Sequence, residues 1–103
     1  MKIRISPLTE NSLTLMRRAG YTFQREEQGE KSFIRPLARA GYPRFHCYTK
    51  QAGLEFSINI HLDQKKHTYG EYTRHHGEYE DSLPLREEAA RLLELFGENA
   101  TIV

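Results

Sequence analysis

The chain has 103 residues, with 15 Lys and Arg against 14 Asp and Glu, a net charge of +1, and 38% hydrophobic and 28% charged side chains. That length bounds it to a single domain, residues 1–103, with one modest core, and the near-average composition excludes wholesale disorder and a coiled coil. Cys47 is the one cysteine, so no intramolecular disulfide can form, packing must hold the fold, and a reducing cytoplasm is the expected setting. No apolar run approaches the roughly 18 residues a membrane span needs, so no membrane partner is expected. The opening MKIRISPLTE lacks the apolar stretch of a secretory signal.

The first element is Lys2 to Ser6, where Ile3 and Ile5 alternate with Lys2 and Arg4 as a short strand. Pro7 ends it. Thr9 or Asn11 can cap a following helix, whose apolar stripe is Leu15, Met16 and Ala19 and whose stop is Gly20. Tyr21 to Arg25 alternates again, Glu26 to Glu30 reads as a polar turn, and Ser32 to Leu37 is a second strand that Pro36 confines to an edge or an end. Arg39 to Pro43 is a connection.

The strongest pattern follows. Leu54, Phe56, Ile58, Ile60 and Leu62 alternate with Glu55, Ser57, Asn59, His61 and Asp63, which is a strand with one buried face. Before it, Phe45, Cys47 and Thr49 alternate with Arg44, His46, Tyr48 and Lys50. A connection over Lys50 to Gly53 predicts that Phe45 pairs with Ile58, Cys47 with Phe56, His46 with Ser57 and Arg44 with Asn59. A shorter loop with a bulge at Gly53 would instead turn His46 and Tyr48 inward. The first arrangement is favoured because it keeps Arg44 and Lys50 in water.

From Pro84, the residues Leu85, Ala89, Leu92, Leu93 and Phe96 form one helical face, capped by Ser82 and stopped by Gly97. Glu87 and Glu88 suit the positive end of its dipole. Ala100 to Val103 can add a short edge strand or fray. The expected order is β-α-β-β-β-β-α: an α+β two-layer sandwich with a mostly antiparallel sheet of four to five strands and two helices on one face.

Between these elements residues 62–83 read as a long loop rich in His and Tyr, a type of segment that is commonly functional. Its residue types fit three chemistries. His61, Asp63, His76 and Glu78 are candidate ligands for a divalent metal, with His67 and His75 nearby. The same His61, Asp63, His76 and Glu78 could instead work as general acid and base, with Lys65 and Lys66 holding an anionic substrate. Thirdly, Arg44, His46, Tyr48, Lys65, Lys66, Tyr69 and Tyr79 could bind a phosphate-containing ligand by ion pairing and ring stacking. The charge pattern leans toward the third. Residues 1–50 carry ten basic and four acidic side chains, and ten of the fifteen basic residues are Arg, whose planar fork suits phosphate. Each of these residues is also compatible with a plain solvated or hydrogen-bonded surface role, and Cys47 reads as core.

Two resemblances bear on this. The blocks Pro43-Arg44-Phe45-His46, Asn59-Ile60-His61-Leu62-Asp63-Gln64-Lys65-Lys66 and His76-Gly77-Glu78-Tyr79 resemble those of a family of short uncharacterised bacterial proteins. Those proteins share H-L-D-Q-K and H-x-G-E-Y, which points to His61, Asp63, Lys65, Tyr69, Glu78 and Tyr79 and implies that His67 and one of the pair His75-His76 are dispensable. Separately, Leu15-Met16-Arg17-Arg18-Ala19-Gly20-Tyr21, with Arg25 and Gly29, is similar to the opening of HicA-type mRNA-interferase toxins. Those are small α+β proteins with a fold like double-stranded RNA-binding domains. Their catalytic G-S-H block has no His here, where the chain reads Gly29-Glu30-Lys31-Ser32.

The expected function is therefore a cytoplasmic binding module for a phosphate-containing ligand, above all RNA. The alternatives are a small His-dependent hydrolase, metal-assisted or not, and an interaction protein that forms a homodimer through its sheet edges.

Overall fold

Alternating apolar and polar residues build most of this molecule, and the strands they form determine which side chains meet. The computed structural model describes residues 1–64 and 82–103, together with the backbone of residues 78 and 79. Its elements are β1 (Lys2–Ile5), α1 (Ser12–Arg18), β2 (Thr22–Glu27), β3 (Glu30–Pro36), β4 (Arg44–Ala52), β5 (Glu55–Asp63), β6 (Glu78–Tyr79), α2 (Leu83–Phe96) and β7 (Ala100–Ile102). Six strands lie in the order β2-β3-β4-β5-β1-β7, every neighbouring pair antiparallel. The two-residue β6 pairs with β5 at Leu62 and Asp63, past the stretch that β1 occupies.

This is the α+β sandwich expected, with a larger sheet than four to five strands. Ala100–Ile102 completes an edge as β7, and Glu78–Tyr79 adds β6 inside the segment read as a loop. That segment is also shorter than expected, because Leu62 and Asp63 belong to β5 and Leu83 begins α2.

One face of the sheet is covered. Ile3, Phe33, Phe45, Cys47, Phe56, Ile58, Ile60 and Leu62 join Leu15 and Met16 of α1 and Leu85, Ala89 and Leu92 of α2 in a single buried cluster. Asn11 caps α1, its side chain accepting from the amides of Leu13 and Thr14, and Ser82 caps α2 by accepting from Leu85. The opposite face presents Lys2 and Arg4, Arg44 through Lys50 in alternation, and Ser57 through Asp63 in alternation. No helix among the described residues is long and apolar enough to cross a membrane.

The β4–β5 register corrects the expected pairing. Phe45 faces Leu62, Cys47 faces Ile60, His46 faces His61 and Arg44 faces Asp63. The strands run on through Gln51 and Ala52 and reverse at Gly53–Leu54 instead of over Lys50–Gly53. Gly53, at φ +63°, supplies the positive dihedral that the first central position of a two-residue type II′ hairpin needs. A shift by an even number of residues keeps every side chain on its face, so the apolar alternation constrained the faces but not the partners.

A second correction concerns α2. Its first turn holds no acidic residue, so Glu87 and Glu88 do not act on the helix dipole as expected. Glu88 points inward and is buried. It accepts from the Tyr21 hydroxyl at 2.7 Å and from Arg91 Nε and Nη2 at 2.8 Å each, with Arg35 at 3.3 Å. Arg91 also donates to the carbonyl of Ala19 at 2.7 Å, joining α2 to the end of α1. Burial, then the nearby Cys47 and Glu88, hold the Tyr21 phenol protonated far above its usual range, and burial does the same to the Cys47 thiol. The guanidinium of Arg91 is held charged still more firmly, chiefly by its hydrogen bonds to Glu88.

Candidate ligand-binding face

The register that differed from expectation assembles the site. Because Arg44 faces Asp63 and His46 faces His61, these four side chains form two adjacent rows on the open face, with Tyr48 in the next row along β4. Opposite residues on one face of a sheet have neighbouring Cβ atoms, so the rows are in contact by construction.

Asp63 is the hub. Its Oδ2 lies 3.2 Å from His46 Nδ1 and 3.5 Å from Arg44 Nε. The Arg44 guanidinium sits over the Tyr42 ring, 4.5 Å from its centre, a cation–π contact that keeps the planar group against the sheet. The His46 ring lies 4.4 Å from that of Tyr48 at a 30° tilt, and Tyr48 meets His61 edge-on at 5.7 Å. Three rings therefore adjoin in an unbroken group, with Arg44 and Asp63 at one end.

The cluster is not fully satisfied. His46 is 6% exposed. Its Nδ1 lies 3.2 Å from Asp63 Oδ2, so an Nδ1–H there donates to the carboxylate. Among the described residues, His46 Nε2 and Asp63 Oδ1 are buried without a hydrogen-bond partner, and Arg44 Nε pairs with Asp63 by charge only. A buried polar atom left unmatched costs about 1–3 kcal/mol.

Several sequence expectations are met here and others are not. Arg44, His46, Tyr48, His61 and Asp63 are brought together. His46 and Tyr48 are less open than an exposed strand face implied, since His46 is buried and Tyr48 half-buried. His61 and Asp63 share a face, as their spacing predicted, yet it is His46 that Asp63 holds. Glu78 and Tyr79 lie across from Asp63 and Leu62 in the backbone pairing. His76, with His67, His75, Lys65, Lys66 and Tyr69, lies outside the described residues. Among the described residues no group of three His, Cys, Asp or Glu is placed to hold a metal ion.

Sequence reasoning missed the partnership of Asp63 with Arg44 and His46, which only the register could give. It also gave Lys2 and Arg4 no role, although their place opposite Ile3 and Ile5 in the alternation marks them as open-face residues. No family model, curated protein or solved structure matches this chain.

Proposed function

We propose that the open face of the sheet binds a phosphate-containing ligand, with single-stranded RNA as the substrate class. One observation carries this reading: the adjoining rings of His46, Tyr48 and His61 lie on a sheet face that no helix among the described residues covers and that also carries Arg44, Lys50, Lys2 and Arg4. The half-buried rings of Tyr48 and His61, with His46 packed beneath them, offer stacking to a base, and cations along the strands offer contacts to the backbone. The acidic residues of α2 belong to the covered side, so they leave the polyanion's approach free.

Fluorescence anisotropy with a labelled single-stranded RNA at low salt tests it. Binding that weakens steeply with salt is expected, and Tyr48→Ala should weaken it about ten-fold, the worth of one stacked base. Absence of any RNA association at low salt would end this reading.

A second reading has its own observation. The Asp63–His46 hydrogen bond fixes an imidazole whose Nε2 has no partner among the described residues, the arrangement of a general base in a small hydrolase. It ranks lower because Nε2 is closed off from solvent. Cleavage of an RNA oligonucleotide by the wild type but not by His46→Ala would reverse the ranking.

A further inference from the structure

Two hollows lie on the open face, one of them lined by Tyr48, and their linings differ in charge. One, of about 240 Å3, is lined by Lys2, Arg4 and Lys50 together with Ser57, Glu55, Ala52 and Val103. The other, of about 250 Å3, lies at the β2–β3 hairpin and is lined by Tyr48 itself, Ser32, Arg25 and the carboxylates Glu27 and Glu30.

The register fixes the geometry of the first. Arg4 and Lys50 both face Ser57, one from each side, and Lys2 and Tyr48 both face Asn59 in the same way. These four residues are therefore the corners of one rectangle on the sheet. Its short sides are about 7 Å, two residues along a strand, and its long sides about 10 Å, two strand spacings. Three corners are cations and the fourth is an aromatic ring. Long Lys and Arg side chains can converge over the centre of such a rectangle, where Ser57 and Asn59 add polar groups. Glu55 is the one acidic side chain in the lining, and its contact with Arg4 is 3.8 Å between two half-exposed groups, a pair weak enough to yield to a phosphate.

We infer that this rectangle is a single-nucleotide subsite: the phosphate lies over Lys2, Arg4 and Lys50, and the base stacks on Tyr48. The orientation follows from charge. Glu27 and Glu30 repel a phosphate from the hairpin hollow, and a carboxylate and the Ser32 hydroxyl there can take the hydrogen-bonding edge of a base. The inference rests on the reading of this face as a surface for phosphate-containing ligands, and it names the residues that hold the phosphate.

The test is RNA affinity as a function of salt, joined to amide chemical shifts on adding a nucleoside 5′-monophosphate or inorganic phosphate. Lys2, Arg4 and Lys50 are exposed, so alanine variants should keep the wild-type circular dichroism. The triple variant Lys2→Ala, Arg4→Ala, Lys50→Ala should lose the monophosphate-induced shifts at Ser57 and Asn59. Its salt dependence for RNA should be shallower by about 0.7 in log–log slope for the phosphate contact removed. Arg18→Ala, an exposed cation on α1, should leave both unchanged. If RNA binds, Tyr48→Ala weakens it, and the triple variant keeps the wild-type slope and shifts, the subsite is wrong while the face still binds. If the wild type binds no RNA and no monophosphate, the face reading fails, and the subsite with it.

Discussion

The two faces of the sheet treat buried polar groups in opposite ways. On the covered face Glu88 is 3% exposed, yet both of its oxygens are taken, by Tyr21, Arg91 and Arg35. On the open face His46 and Asp63 are nearly as enclosed, yet one nitrogen and one oxygen are left without a partner among the described residues. A satisfied network is what stability requires, whereas unmatched atoms cost stability and have to be explained by something else. The contrast gives one side of the sheet a structural network and agrees with the proposal that the other side is the ligand-binding face.

The largest test of that contrast removes packing from the covered face. Phe56→Ala, at a fully buried position between β4 and β1, should cost about 3–5 kcal/mol in chemical denaturation. Glu88→Ala should cost about 3 kcal/mol, because it strands the Tyr21 hydroxyl and the inner donors of Arg91. Tyr21→Phe should cost only about 1–2 kcal/mol, since Arg91 still satisfies the carboxylate. If Glu88→Ala is neutral, the network is not the structural half of the comparison.

Alkali should weaken the same face. Tyr21 and Cys47 hold their protons more tightly in the fold than in the unfolded chain. Below about pH 7.5 both are protonated in either state and stability is flat with respect to them; the unfolded chain begins to release the Cys47 proton at about pH 8 and the Tyr21 proton at about pH 10. From there upward the fold retains protons that the unfolded chain releases, so stability falls as pH rises, by about 1.4 kcal/mol per unit for each group titrating. Denaturation midpoints at pH 8, 9.5 and 10.5 measure this, and Tyr21→Phe should flatten the upper part of the curve.

The smallest effect is expected on the open face. His46→Phe removes an unmatched nitrogen and leaves Asp63 with Arg44, so it should change stability by less than about 1 kcal/mol in either direction. A loss comparable to that of Glu88→Ala would show that His46 is structural after all, and the comparison would collapse.

How far the sequence carried depended on what each pattern encodes. Apolar alternation from Phe56 to Leu62 assigned the strand and its buried face, and the stripe Leu85, Ala89, Leu92 assigned α2, because burial repeats with the period of the element. Asn11, Ser82 and Gly97 marked helix ends through local hydrogen bonding and dihedrals. Long-range partners have no such local signature. Nothing in the sequence around Glu88 announces Tyr21, and β4 could have paired four residues away without turning a single side chain over. The site suffered most from this, since Asp63 meets Arg44 and His46 only through that register. Gln28 and Gly29, both with positive φ, make the tight β2–β3 turn that a polar run alone did not localise.

The strand order has a consequence for how the chain comes together. β2, β3, β4 and β5 are sequential neighbours, each reached from the last by a hairpin or a short connection. β1 instead pairs Lys2 with Asn59 and Ile3 with Ile102, which are among the most distant contacts the chain makes. Loops that large close slowly, so the four-strand meander is expected to form first and β1 to dock late. Slowed folding with an unchanged unfolding rate in Phe33→Leu, and faster unfolding with an unchanged folding rate in Ile3→Val, would show that order. Two corners of the cationic rectangle, Lys2 and Arg4, ride on β1. The proposed phosphate seat is thus completed only when the first strand in the sequence finds its place among the last.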